Sequence, residues 1–281
     1  MRYDPAVLER MAQQFRREIW RSVVPDAITD SGVEIEQFGP VQATAFGELP
    51  AIGTLNQIQG AAEPGAVAGG HLARAIEWMR AREVDYRVPV AEERPGAGVA
   101  QAWLGDRGYE RGDSWIKFVR DGSLPRLPAN PEITIYQLGA QEGDGEGLSA
   151  IVAEAFELPL TAGTLFYSLP QAKGWRCYTA ALDLDEGVVA AASMLVADGV
   201  AQLLPGTTAE HARGRGCHVA LLRRRLIDAH ALGCHTVFVE LGECESGPLA
   251  VACRNLRWAG FRPAYESHNW QRPALRPAEA Y

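Results

Sequence analysis

A basic, glycine-containing turn, Arg213-Gly214-Arg215-Gly216-Cys217-His218, stands between an apolar run ending at Thr208 and a helix-forming run beginning near Cys217. The start of a helix presents unpaired N–H groups and the positive end of its macrodipole. Glycines let an anion approach the main chain, and two arginines add charge. The turn reads as an anion cradle and points to a phosphorylated cofactor held by an α/β fold.

Nucleotide loops of other kinds fail on their residues. The phosphate loop of NTPases needs Lys and Ser or Thr after its last glycine, whereas Gly216 is followed by Cys217 and His218. A dinucleotide fingerprint needs a third glycine where Val219 stands, and no acid follows on a second strand at the usual distance.

The flanks of the turn are informative. Val200 to Thr208 (VAQLLPGTT) is an apolar strand that Pro205 and Gly206 would bulge or end, because proline cannot donate to a ladder. Downstream, Leu222, Leu226 and Ala229 form one helical stripe, with Arg223, Arg224, Arg225 and Asp228 largely off it as a solvated face. Gly233 would cap that helix, Thr236 to Leu241 reads as a buried strand, and Asn255 to Phe261 (NLRWAGF) as a helix end.

This order resembles motif A of the GNAT acetyltransferase superfamily, Arg/Gln-x-x-Gly-x-Gly/Ala after a short strand and before a long helix. Arg213 and Gly216 match, and His218 departs from the small last residue. The resemblance covers roughly the C-terminal half. It implies an α/β fold with a mixed, mostly antiparallel, twisted sheet flanked by helices. It also implies acetyl-CoA as acyl donor, with its phosphates over the cradle and its pantetheine along the bulged strand.

Upstream of the cradle the expected elements are a strand at Glu132 to Leu138 and a helix at Leu148 to Phe156. Strands follow at Arg176 to Leu182 and Val188 to Val196, joined by a tight turn at Asp185-Glu186-Gly187. A proline-rich segment, Asp121 to Pro131, reads as a linker. The N-terminal half carries a worn version of the same plan, with a stripe at Leu72, Ile76 and Met79 and a strand at Tyr86 to Val90. Trp103 to Trp115 parallels Leu256 to Trp270. At its cradle position stands Glu63-Pro64-Gly65-Ala66-Val67-Ala68-Gly69-Gly70, with glycine but no arginine and an acid nearby. The expected organisation is therefore a tandem of GNAT-like folds: a degenerate domain at 1–125 and an acetyl-CoA-binding domain at 131–281.

Composition narrows the partners. A formal net charge of −8 disfavours a face that tracks nucleic acid, while a local basic loop still binds a small anion. The N-terminal twenty residues mix charge among apolar positions, as a surface helix does and a secretion signal does not, and no apolar run reaches membrane-spanning length. Five cysteines, an odd number without a Cys-x-x-Cys pair, argue against a disulfide framework and a zinc site. His230, Cys234 and His235 lack a fourth ligand at metal spacing, so no metal is expected. The expectation is a cytoplasmic protein without nucleic-acid or membrane partners, and a monomer over a homodimer because paired repeats can pack within one chain.

Carried onto this chain, the resemblance places main-chain contacts to pantetheine and thioester at Gly206, Thr207 and Thr208. The phosphates fall to Arg213, Gly214, Arg215, Gly216, Cys217, His218 and Val219. Backbone donors suit this chemistry because the thioester oxygen gains negative charge as an amine adds. Glu240 and Glu243 are the candidates for the base that takes the proton of the ammonium substrate. The tyrosine that the family places four residues before the closing Gly-Phe is replaced by Leu256, and its usual asparagine by Leu249. Cys253 or Tyr265 could protonate the leaving thiolate, or the thiolate leaves unaided. The acceptor is a small-molecule or peptide amine, and the segments expected to line its pocket, Thr54 to Gly60 and Leu158 to Gly174, carry no decisive charge. The alternatives are another acyl-CoA enzyme on this fold, an acyltransferase or decarboxylase, and a non-catalytic CoA-binding or ligand-free module.

Overall fold

The computed structural model describes residues 3–22, 32–47, 55–139, 145–157, 166–167, 169–182, 187–242, 244 and 247–273. The chain forms two compact units, Met1–Ser31 with Lys117–Ala264, and Gly32–Ile116 with Tyr265–Tyr281.

In the smaller unit, strands β1 (Val33–Phe38), β2 (Val41–Phe46) and β3 (Gln57–Gln59) form an antiparallel meander. Helix α1 (Pro5–Ser22) precedes them in the chain but belongs to the larger unit. Alternation along β2 turns Val41, Ala43 and Ala45 to one face, and α2 (His71–Arg80) packs there through Leu72, Ile76 and Met79, the stripe that its spacing predicts. After α2 come β4 (Val88–Ala91) and α3 (Ala97–Gly105). Ile58 donates its N–H to Arg87 O at 2.9 Å and Arg87 donates to Asn56 O at 3.0 Å, so the chain at β3 and that leading into β4 are bridged in parallel.

The larger unit repeats this order at greater length. After β5 (Glu110–Asp121), β6 (Thr134–Gln137) and α4 (Glu146–Ala155) come β7 (Trp175–Ala181), β8 (Ala190–Ala197) and β9 (Val200–Thr208). Helix α5 (Cys217–Ala231), β10 (Thr236–Gly242), α6 (Gly247–Trp258) and β11 (Arg262–Gln271) complete it. Strands β6 to β9 are antiparallel neighbours and β10 runs parallel to β9. The sheet is thus mixed and mostly antiparallel. Both α2 and α5 start after a glycine in the left-handed region, Gly70 at φ +67 and Gly216 at φ +92.

The division falls within two strands: residues 117–121 of β5 belong to the larger unit and 110–116 to the smaller, and residues 265–271 of β11 belong to the smaller, where 267–270 pair with β4.

Strand β9 and the start of α5 fall at the boundaries that the sequence predicts. Two expectations are corrected. The N-terminal helix is not merely a surface element, since Leu8, Met11 and Ala12 are buried. The arginine run on α5 is not wholly solvated, since Arg225 is 3 % exposed. Arg225 stands four residues after Leu221 and four before Ala229, on the buried stripe itself, so helical spacing carries it inward despite its charge. The turn residues Asp185 and Glu186, Thr54, and most of the stretch from Leu158 to Ser168 lie outside the described residues.

Candidate functional site

Strand β9 supplies one wall of the site, and its irregularity originates in Pro205. The register between β8 and β9 shifts from Ala192↔Gly206 to Ser193↔Leu204, leaving Pro205 as the extra residue of a bulge. The parallel pairing of β9 with β10 runs only from Val200↔Thr236 to Leu203↔Val239, although both strands continue. From Leu204 to Thr208 the β10 side of β9 therefore has backbone groups outside the ladder, in a strand that is half-buried there. Gly206, Thr207 and Thr208 lie on this stretch.

A short 3-10 turn, Glu210–Ala212, then leads into the cradle. Arg213, Gly214 and Arg215 are exposed, and Arg213 Nε donates to Thr208 O at 3.4 Å. Gly214 has φ +81 and, among the described residues, no atom within 4 Å of the place a Cβ would take. No described side chain caps α5 and no acid stands in its first turn. The N–H groups of Cys217, His218 and Val219 have no acceptor within the helix by geometry, and an anion placed over them would meet donors and positive charge.

His218 and Asn255 join the two helices, with Asn255 Nδ2 donating to His218 Nδ1 at 3.1 Å. Desolvation, reinforced by the charge of Arg225, pushes the imidazole pKa down to about 4. Cys217 is buried and desolvation raises its thiol above the ordinary range, which removes it as a nucleophile.

Arg225 reaches the bulge from α5. Its Nη1 donates to Ser193 O and Leu204 O, both at 3.1 Å, and its Nε to Leu221 O at 3.3 Å. Burial lowers its pKa to about 10. Nearby Tyr178 donates to Asp228 Oδ2 at 2.7 Å, and desolvation together with that carboxylate holds the phenol well above its ordinary range.

The candidate catalytic groups are spread out. Glu240 lies on β10, 2.8 Å from Lys117 Nζ, and Lys117 also meets Glu9 at 2.6 Å. Burial works against the Lys117 ammonium, but the two carboxylates outweigh it and hold its pKa above the usual lysine range. Glu243 lies outside the described residues. Cys253, on α6, is bonded to Cys244 with Cα atoms 6.0 Å apart, contrary to the expectation drawn from cysteine number. Parity of a count cannot register that Cys244 and a position on α6 come together. Tyr265 is buried on β11. Sequence reasoning missed Arg225 and the Asn255–His218 contact. The first was legible in the spacing of α5, whereas the second depends on how two helices meet.

Among the described residues no group of three His, Cys, Asp or Glu side chains is arranged to hold a metal, and no helix is long and apolar enough to cross a membrane. His230 instead meets Gly122 O at 2.8 Å and His235 meets Thr236 Oγ1 at 3.0 Å.

Neither a protein-family model nor a curated protein matches this chain. Solved structures do. A GCN5-related N-acetyltransferase from Kribbella flavida superimposes with a TM-score of 0.62 at 15% identity, covering 93% of this chain and 95% of its own. A GCN5-related N-acetyltransferase from Sphaerobacter thermophilus gives 0.60 at 15% identity, over 90% and 87%. A tandem GNAT protein from the clavulanic acid biosynthesis pathway gives 0.60 at 16% identity, over 84% and 79%. The bulged strand, its parting from β10 and the glycine-started helix thus belong to a chain with the tandem GCN5-related N-acetyltransferase fold.

Proposed function

We propose that this chain is an acyl-CoA-dependent N-acyltransferase, acetyl-CoA being the first donor to test, with its cofactor in the C-terminal half and an amine as acceptor. One observation carries the reading. Strand β9 parts from β10 after Leu203 in the same stretch of chain that leads to an exposed, basic, left-handed cradle. A parted strand edge and an anion cradle are what a ligand with both amide groups and phosphates requires.

The residues fit such a ligand. Arg213 and Arg215 face phosphates, and the N–H groups of Cys217, His218 and Val219 receive them. Backbone groups of Leu204 to Thr208 pair with pantetheine amides. When bound, the thioester supplies an activated acyl group. Gly214 and Gly216, both at positive φ, suit the two glycine places of the Arg/Gln-x-x-Gly-x-Gly/Ala pattern. Read in that register, His211 stands where the pattern has Arg or Gln, so the departure moves from His218 to His211.

Glu240 and Glu243 remain the acids proposed for the base. Glu240 is already committed to Lys117, so Glu243 or a water is the better-suited proton acceptor. The proposed compartment is the cytoplasm, where Cys244 and Cys253 would stand as thiols and Cys253 would carry a proton. A second reading, a CoA-binding module without turnover, is favoured by the engagement of Glu240 with Lys117.

One assay separates these readings. Acyl-CoA thioesters are screened against amines while free thiol is followed, with calorimetric CoA binding in parallel. Binding with amine-dependent thiol release supports the enzyme, binding alone supports the module, and absence of binding rejects both.

A further inference from the structure

The Arg225 guanidinium is a buried cation without an anion among the described residues, and a ligand-binding role for it rests on the acyl-CoA reading and refines that reading. At 3 % exposure it donates to three neutral carbonyls, Leu221 O, Ser193 O and Leu204 O. Carbonyls satisfy N–H groups but leave the charge uncompensated, and buried charges are ordinarily paired. No carboxylate among the described residues pairs with it. Asp228, the nearest acid along the helix, is occupied by Tyr178 and Arg224 at 2.7 and 2.9 Å.

Its position is specific. Ser193 and Leu204 flank the β8–β9 bulge, and Leu204 is the first β9 residue beyond the pairing with β10, so the guanidinium sits at the bulge, beside the start of the unpaired stretch of β9. Nη2 makes no hydrogen bond among the described residues and lies 2.8 Å from the place a Cβ on Gly206 would take. Any other residue at 206 would crowd that nitrogen. From the cradle, α5 carries the charge about 12 Å further along its axis at about 1.5 Å per residue. The helix thus carries one cation from the cradle to the bulge of the strand that leads into it.

We propose that Arg225 Nη2 binds a carboxylate at the end of the acyl chain, so that the donor is a dicarboxylic acyl-CoA of the malonyl or succinyl type. A carboxylate supplies the missing charge, and its oxygens accept charge-assisted hydrogen bonds from the two hydrogens that Nη2 retains. An acetyl group offers that nitrogen nothing.

The test is calorimetry on the full chain with free CoA, acetyl-CoA, malonyl-CoA and succinyl-CoA, repeated on Arg225→Gln and Arg225→Met, with thermal unfolding to establish that each variant is folded. At least one dicarboxylic thioester should bind the native chain about tenfold or more tighter than acetyl-CoA, the size expected for one charge-assisted contact. Either folded variant should lose that preference, each thioester being compared with free CoA on the same variant. Equal affinity for acetyl-CoA and both dicarboxylic thioesters in the native chain overturns the proposal, as does a preference that survives in a folded variant. If neither variant folds, the native-chain comparison decides. Failure of free CoA itself to bind would instead reject the acyl-CoA reading beneath it.

Discussion

Lys117 and Glu240 form an ion pair at 2.8 Å in which only 2% of the lysine side chain is exposed. Glu9 closes a triad that ties α1, β5 and β10 within the larger unit. A carboxylate whose charge is already balanced is a weaker proton acceptor than an unpaired one. The residue that sequence reasoning nominates as base thus has a structural duty in this fold.

Replacing it should therefore reveal stability before catalysis. Glu240→Gln leaves the buried Lys117 paired with Glu9 and still offers it an amide oxygen, so only the charge-assisted part of one contact is lost, about 1 to 2 kcal/mol. Lys117→Met removes the cation and leaves two carboxylates, so it should also destabilise. Urea unfolding checks both. An unchanged midpoint for Glu240→Gln would show that the pair contributes nothing, and a loss of kcat in fully folded protein would return Glu240 to the chemistry.

The acid side of the stability profile should depend on His218. Its folded pKa, about 4, lies below the ordinary value near 6.5, so between these limits the unfolded chain binds the extra proton. Stability is then constant above about pH 6.5 and falls as pH drops toward 4. Because the ring is only partly shielded from solvent, about 1 to 2 kcal/mol is expected. Unfolding free energies from pH 4 to 8 for the native chain and His218→Asn test this. Identical slopes would exclude His218 as the source.

How far these features were legible depends on which residues create them. Pro205 announces the bulge because its missing N–H acts locally, and Gly216 announces the helix start because no side chain tolerates its φ cheaply. The tandem plan shows in the stripe at Leu72, Ile76 and Met79. The division of the chain within β5 and β11 left no local signal, since nothing in a strand's alternation marks where one unit ends. Arg225 was legible in principle: spacing placed it inside and charge placed it outside, and here spacing decides.

The Cys244–Cys253 bond closes a short loop between β10 and α6. Chain-entropy arguments give such a closure about 2 to 3 kcal/mol of stability. A reductant should lower the unfolding midpoint of the native chain and leave Cys244→Ser unaffected. Thiol titration should count two more reactive groups after reduction in denaturant. An identical count before and after would show that the bond is absent in solution.

Only the C-terminal cradle is expected to hold CoA. In the corresponding loop of the smaller unit, Glu63 pairs with Arg94 at 2.6 Å, so an acid occupies the neighbourhood where phosphate would need cations. Calorimetry should give one site per chain. Arg213→Glu combined with Arg215→Glu should weaken binding at least about 100-fold, since charge-assisted contacts contribute about 1.5 to 3 kcal/mol each. Glu63→Gln should leave affinity unchanged. Two sites per chain, or an unaltered affinity after both reversals, would contradict the assignment.

Two glycines on the site should respond to alanine for different reasons. At Gly206 the new methyl would stand 2.8 Å from Arg225 Nη2, and the guanidinium is pinned by three carbonyls. Overpacking of that kind costs about 1 to 3 kcal/mol and pushes on the bulge itself. At Gly214 nothing lies within 4 Å, so the penalty is only the left-handed φ of +81, worth about 1 to 2 kcal/mol. The two variants should differ most in how they affect ligand. Gly206→Ala should weaken thioester binding while leaving the phosphate contacts at the cradle intact, so an adenosine phosphate fragment of CoA should bind it as it binds the native chain. Gly214→Ala should weaken the fragment and the thioester alike, because the strained residue lies in the phosphate loop. Calorimetry with both ligands on both variants decides. If Gly206→Ala lost the fragment and kept the thioester, the order of the site along β9 and α5 would be reversed.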